Sequence, residues 1–232
     1  MSTWTDCHKW LVRYGDEPLG AEDLENLAML TLMISPDDTT PYGSTVAHFA
    51  AITKNALLLL PVLKQCGVNL HLKNDEGATP LHWAARNVES PQAVMMLLQM
   101  GANPRKCDKL GQTPLHYAAE CGNLLAARIL LRSNPGLLHQ TDDDDETALG
   151  VAVEAGQRRM VRFLRQCGAG VKESHVFCAI TSDSYRLLQT LLEGADCFSP
   201  DHWQRWCQWA DSHDHPRALR FLRPFSSCVS SM

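Results

Sequence analysis

Four threonines recur at a fixed interval of 34 residues, at Thr45, Thr79, Thr113 and Thr147. Each opens a version of one phrase: Thr45-Val-Ala-His48-Phe-Ala-Ala51, Thr79-Pro-Leu-His82-Trp-Ala-Ala85, Thr113-Pro-Leu-His116-Tyr-Ala-Ala119 and Thr147-Ala-Leu-Gly150-Val-Ala-Val153. A period of this length marks a chain of stacked supersecondary units, each of which buries its apolar face only against its neighbours. Such a chain works by displaying a surface, because its core is shared between adjacent units and encloses no pocket.

Each part of the phrase has a mechanical task. Thr79 and Thr113 stand where a helix N-cap is needed, their hydroxyls placed to accept from the first free N–H groups. Pro80 and Pro114 follow at the first helical position, where a missing N–H costs nothing. The pairs Ala84-Ala85 and Ala118-Ala119 favour helix and are small enough for a second helix to pack closely. Gly122 and Gly156 fit the turn between helices. Second helices are predicted over 56–66, 91–100, 124–132 and 157–167, each with a broad apolar face. Pro61 inside the first of them predicts a bend. Polar turn signals, Asn74-Asp75-Glu76-Gly77 and Asp108-Lys109-Leu110-Gly111, then lead to the next threonine.

With these pieces in place the chain resembles the ankyrin-repeat family. The resemblance is carried by Gly77-x-Thr79-Pro-Leu-His82-x-Ala-Ala85 and Gly111-x-Thr113-Pro-Leu-His116-x-Ala-Ala119, and by the Leu97-Leu98 to Gly101-Ala-Asn103 close. It implies an all-α solenoid of helix–turn–helix repeats with projecting turns, four of them over 43–170. Departures occur at Gly150, where the histidine is expected, and at Asp145, where the turn glycine is expected. Repeat 3 also lacks the closing Gly-Ala and runs Arg132-Ser-Asn-Pro135-Gly136 instead. Residues 171–198 read as a degenerate fifth repeat, with too little chain after Gly168 for a projecting turn. Residues 1–42 read as an N-terminal helical cap, with helices at Cys7–Tyr14 and Ala21–Met33. Residues 199–225 read as a C-terminal helical cap whose two helices are divided at Pro216, and 226–232 as a flexible tail. Solenoids need such atypical ends to cover the last open face of the core.

Composition narrows the function. Lys plus Arg number 21 and Asp plus Glu 26, for a net charge of −5, so nothing invites nucleic acid or an anionic membrane. The nine cysteines are scattered, odd in number and without a CxxC pair, which reads as free thiols in a reducing compartment: the cytoplasm, with the nucleus or a host cytosol as alternatives. No apolar run reaches the length of a membrane span. The start, Met1-Ser-Thr-Trp-Thr-Asp6, has no basic stretch followed by an apolar one, so it does not read as a secretory signal.

Candidate chemistry is sparse. His48, His82 and His116 recur with the period, so they read as scaffold; the resemblance gives them a hydrogen-bonding role near the helix start. His202, Cys207, His213 and His215, with Asp211 and Asp214, supply metal-ligand types but match no zinc spacing, and no metal is expected. There is no Gly-rich phosphate loop, no HExxH and no local Cys–His signature, so neither an enzyme nor a cofactor is expected. Trp203, Trp206 and Trp209 form a helical stripe, either a packed cap or an aromatic anchor for a partner. Asp142-Asp-Asp-Asp145-Glu146 is the densest charge in the chain. It reads as a solvated turn or as an acidic edge for a Lys/Arg-containing segment; it lacks the central Gly and final Glu of a calcium loop.

The resemblance implies that a partner protein binds the concave side, formed by the turns and the first helices. Carried over position by position, the exposed residues are Asp75, Glu76, Ala78, Arg86, Asn87, Lys109, Leu110, Gln112, Glu120, Cys121, Asp143, Asp144, Glu146 and Glu154. Phe49, Trp83 and Tyr117, one per repeat, would form an aromatic floor beneath them. The reading is a non-enzymatic protein-interaction module, monomeric on its own. The alternatives are an adaptor that recruits a second protein, such as ubiquitin machinery, through its C-terminal helices, or a bacterial effector acting in a host cell.

Overall fold

The computed structural model describes residues 39–193 and 199–227, together with positions 20, 22–23 and 25–26. From residue 46 onward the described chain runs as helix pairs. The first four are α1 Val46–Ile52 with α2 Ala56–Gln65, α3 Pro80–Arg86 with α4 Gln92–Gln99, α5 Pro114–Cys121 with α6 Leu124–Ser133, and α7 Ala148–Glu154 with α8 Arg158–Gln166. A fifth pair follows, α9 Glu173–Thr181 and α10 Tyr185–Leu192, and then α11 Pro200–Ser212 and α12 Pro216–Ser227. The fold is thus an all-α repeat solenoid. The expected N-terminal helices and the Gly194-Ala195-Asp196 close of the fifth unit lie outside the described residues.

First helices stack on first helices, α1 on α3 on α5 on α7 on α9. Second helices stack likewise from α2 through α10. The alanine pairs allow the close approach: Ala50, Ala51, Ala84, Ala85, Ala118 and Ala119 are completely buried. Leucines from both layers fill the seam, among them Leu115 of the first helices and Leu59, Leu63, Leu97, Leu130 and Leu164 of the second, all fully buried. Each such leucine stabilises the stack by about 2 kcal/mol of transfer free energy. Pro61 does not end α2, which runs on to Gln65. Where repeat 3 lacks Gly-Ala, a short 3₁₀ turn over Pro135–His139 seats Leu137 and Leu138 in the core.

The N-caps differ from expectation in which side chain makes the bond. Thr79 N–H donates to Nδ1 of His82 at 3.0 Å, and the Thr79 hydroxyl lies 2.9 Å from the same nitrogen. Thr45–His48 and Thr113–His116 repeat the arrangement. On the other side of each ring, Nε2 meets a carbonyl of the next unit: Ala78 at 3.0 Å, Gln112 at 3.1 Å and Glu146 at 3.2 Å. A carbonyl only accepts and an amide N–H only donates, so each ring is neutral with its proton on Nε2. Each histidine therefore ties its own helix start to the following turn.

The projecting turns are closed by one residue per unit. Asp108 Oδ1 accepts from Leu110 N–H and Gln112 N–H at 2.9 and 2.8 Å. Thr40, Asn74 and Asp142 do the same in their turns. Successive turn tips are joined by backbone bonds, Asp75 N–H to the Tyr42 carbonyl, Lys109 N–H to Glu76 and Asp143 N–H to Leu110. This contact explains the turn glycines. Gly111 has φ +73°, and a Cβ there would sit 2.6 Å from Asp143 N. At the fourth turn Asp145 adopts φ 60° in place of glycine. No fifth projecting turn presses on it; Lys172 reaches its backbone carbonyl and its carboxylate instead.

The C-terminal pair packs on the fifth, α11 against α9 and α12 against α10. Trp206 and Ala210 are completely buried, and Trp203 and Trp209 are partly buried against the same core. Trp209 meets Phe177 of α9 edge-on at 5.5 Å.

Candidate protein-binding face

The side expected to be concave is the one that carries the first helices and the turns that project beyond them. Its aromatic residues interlock across units. Trp83 meets His48 and Phe49 edge-on, at 5.3 and 5.4 Å between ring centroids, and Tyr117 meets His82 at 5.1 Å. The floor is therefore rigid, because each ring is wedged against the unit before it.

Two shallow grooves adjoin along this floor. One is bounded by Ile52, Glu76, Trp83, Arg86, Asn87 and Tyr117, with a volume of about 470 Å³. The other, of about 480 Å³, runs over Asp75, Lys109, Leu110, Gln112 and Glu120 and shares Glu76, Arg86 and Tyr117 with the first. Leu110 is 64% exposed at its turn tip. The two grooves bring together ten of the residues nominated from the sequence. Asp143 and Asp144 stand exposed on the next turn, and Glu154 is exposed at the end of α7.

The structure corrects the exposure expected of Ala78 and Glu146, and gives Tyr117 and Asn87, which still line the grooves, structural bonds as well. Ala78 is completely buried beneath its turn. Tyr117 is 9% exposed, and its hydroxyl donates to Asp108 Oδ2 at 2.9 Å, so it braces a turn and shows only a ring edge. Burial, then Asp108, holds that phenol above its ordinary range. Asn87 spends its amide on the Ile52 carbonyl at 2.6 Å, while its own carbonyl receives Asn123 Nδ2 at 2.8 Å. Gln157 makes the matching bond to the Glu120 carbonyl. Glu146 turns inward: its carboxylate accepts from His175 Nε2 at 2.8 Å, and its side chain is 20% exposed.

The acidic run is thus divided by role. Asp142 closes the turn, Asp145 pairs with Lys172, and Glu146 holds His175. Asp143 and Asp144 project from the turn with no ion pair among the described residues, whereas the exposed Asp145 is paired with Lys172. Sequence reasoning missed Ile52 in the groove. It placed Asn74 and Asp108 in turn signals but did not give them the turn-closing bonds they share with Asp142, although the spacing of 34 repeats that of the threonines.

Among the described residues no three His, Cys, Asp or Glu side chains converge as a metal site. The imidazoles of His213 and His215 lie nearly parallel to the Trp209 indole, at 4.2 and 5.5 Å. No described helix is long and apolar enough to cross a membrane.

Stacked helix pairs, periodic threonine–histidine caps and tip-to-tip turns define a class of solenoid built to display its turns. The family model for ankyrin repeats, in three copies, matches residues 6–106 and 87–175. The chain belongs to the ankyrin-repeat family. No curated protein matches it. Ankyrin repeats are in general protein–protein interaction modules and are typically non-enzymatic.

Proposed function

We propose that this chain binds an extended segment of a partner protein, carrying Lys or Arg, across the concave face from Ile52 to Asp144. The observation that carries the reading is the pair of adjoining grooves over Trp83 and the edge of Tyr117. A rigid aromatic floor loses little conformational entropy on binding and supports hot-spot contacts. Around it Asp75, Glu76, Glu120, Asp143 and Asp144 outnumber Arg86 and Lys109, so a basic segment is drawn in, over a screening length of about 8 Å at physiological salt. The exposed Leu110 offers an apolar contact between the two charged ends. The scattered cysteines support a reducing compartment for this activity.

Peptides selected from a random display library against the intact protein test the reading. They are expected to be enriched in Lys or Arg beside an apolar residue. The pair Asp143→Lys and Asp144→Lys should slow their association, and Leu110→Asp should shorten their residence. Selected peptides whose binding ignores all three substitutions and added salt would place recognition elsewhere.

A further inference from the structure

The second helices carry the opposite charge. Helix α8 buries Met160, Val161 and Leu164 and leaves Arg158, Arg159 and Arg162 in solvent. Helix α10 packs beside it and adds Arg186; helix α12 packs beside α10 and adds Arg217 and Arg220. At the centre of this surface Tyr185 is 43% exposed. Its hydroxyl oxygen accepts from Arg186 Nε at 2.9 Å. That bond first, and then the charges of Arg186, Arg158 and Arg217, hold the phenol below its ordinary value. A groove of about 460 Å³ between α10 and α12 is lined by Tyr185, Arg217, Arg220 and Phe221.

Carboxylates neutralise only part of this charge. Asp183 Oδ1 accepts from the N–H groups of Arg217 and Ala218, both at 3.1 Å, so it caps α12 while its other oxygen lies 3.9 Å from Arg217 Nε. Glu193 approaches Arg162 at 4.0 Å. Among the described residues Arg158, Arg159, Arg186 and Arg220 have no carboxylate partner.

We propose that the α8–α10–α12 face is a second docking surface, and that its occupant is a short acidic segment of another protein with an apolar residue seated between Tyr185 and Phe221. Guanidinium groups pair with carboxylates through two parallel bonds, and an arginine-flanked aromatic groove suits a carboxylate neighbouring an apolar side chain. Three helices spaced about 10 Å apart span about 20 Å, which is the reach of about six extended residues. The net charge of −5 disfavours a long polyanion, whereas a short acidic segment stays within the basic patch. This surface is independent of the concave face, and its failure would leave that reading standing.

The test is fluorescence anisotropy of a labelled octapeptide of Asp and Glu around one central Trp, titrated with the full chain. Affinity is expected to fall about tenfold between about 50 and 300 mM salt. It should fall about tenfold again in the double variant Arg158→Ser/Arg220→Ser, with the circular dichroism melt unchanged. Asp143→Asn/Asp144→Asn should leave it as it was. Four results would overturn the proposal: no binding at low salt; equal binding by the arginine variant; tighter binding of duplex DNA or phosphatidylserine vesicles than of the peptide; or self-association of the chain abolished by the Asp143/Asp144 variant, which would make a second copy the occupant.

Discussion

The three periodic histidines make the stack sensitive to acid, by an amount that follows from their geometry. Each ring is completely buried, accepts at Nδ1 from a threonine N–H and donates from Nε2 to the next unit. A second proton would set a donor against a donor at Nδ1 and place a charge in the core. Burial accordingly lowers the pKa of His82 from 6.5 to about 4, partly opposed by its bond to the Gln112 carbonyl; His48 and His116 are lowered for the same reason. A folded pKa below the unfolded one means that the unfolded chain binds the proton first. The contribution is therefore complete above the unfolded value and is lost as pH falls from 6.5 toward 4. At about 1.4 kcal/mol per pH unit, His82 alone accounts for about 3 kcal/mol over that window, and about 2 kcal/mol by pH 5. His48 and His116 add to it in the same direction. Urea unfolding followed by far-UV circular dichroism at pH 7.5, 6.5, 5.5 and 5.0 measures the slope. His82→Gln removes one titrating ring and should flatten it. A midpoint that does not move between pH 7.5 and 5.0, or a His82→Gln protein with the full slope, would refute the assignment of neutral, load-carrying rings.

Three further outcomes are expected. Gly111→Ala should cost about 2 kcal/mol or more, since φ +73° and Asp143 N both oppose a Cβ, whereas Gly101→Ala, with open space around it, should cost about 1 kcal/mol; equal thermal shifts would count against tip-to-tip packing. Glu146→Ala should cost about 2 kcal/mol by leaving buried His175 Nε2 without its acceptor, while Asp143→Asn/Asp144→Asn stays within about 0.5 kcal/mol; matching melts for the two proteins would mean that Glu146 is a surface charge after all. Removal of 199–232 should uncover the faces of α9 and α10 that α11 and α12 cover and produce aggregation in light scattering; a monodisperse, equally stable truncation would free the tryptophan helix for an external role.

The fold was legible because its cause is local and repeated. Thr-Pro-Leu-His, the alanine pairs and the turn glycines each act within one unit, and the next unit supplies the same context 34 residues on. The second helices accordingly begin and end within one residue of the positions their periodicity predicts. Positions on the concave face were legible for the same reason: Asp75, Glu76, Arg86, Lys109, Leu110 and Glu120 border the grooves because the repeat puts them there. Their neighbours were less legible where a side chain finds a partner in another unit. Asn87 sits at an exposed repeat position, yet the Ile52 carbonyl of the preceding unit lies within reach and takes its amide.

Position 150 shows how one such contact spreads. In the first three units the ring of His48, His82 or His116 fills the space between its cap and the next turn. Gly150 has no ring, so the buried Thr147 hydroxyl finds no hydrogen-bond partner among the described residues. The Glu146 carboxylate folds into the vacancy, where any Cβ at position 150 would overlap it, and there it meets His175. His175 still accepts at Nδ1 from the N–H of its own cap residue, Lys172, at 3.2 Å. The Lys172 side chain in turn reaches Asp145, whose left-handed backbone is tolerated because no further turn stacks on it. One missing imidazole thus draws Glu146 out of the acidic run, and one missing turn draws out Asp145. What reads in sequence as five contiguous charges is in the folded chain a joint between the fourth and fifth units, with two aspartates left to face a partner.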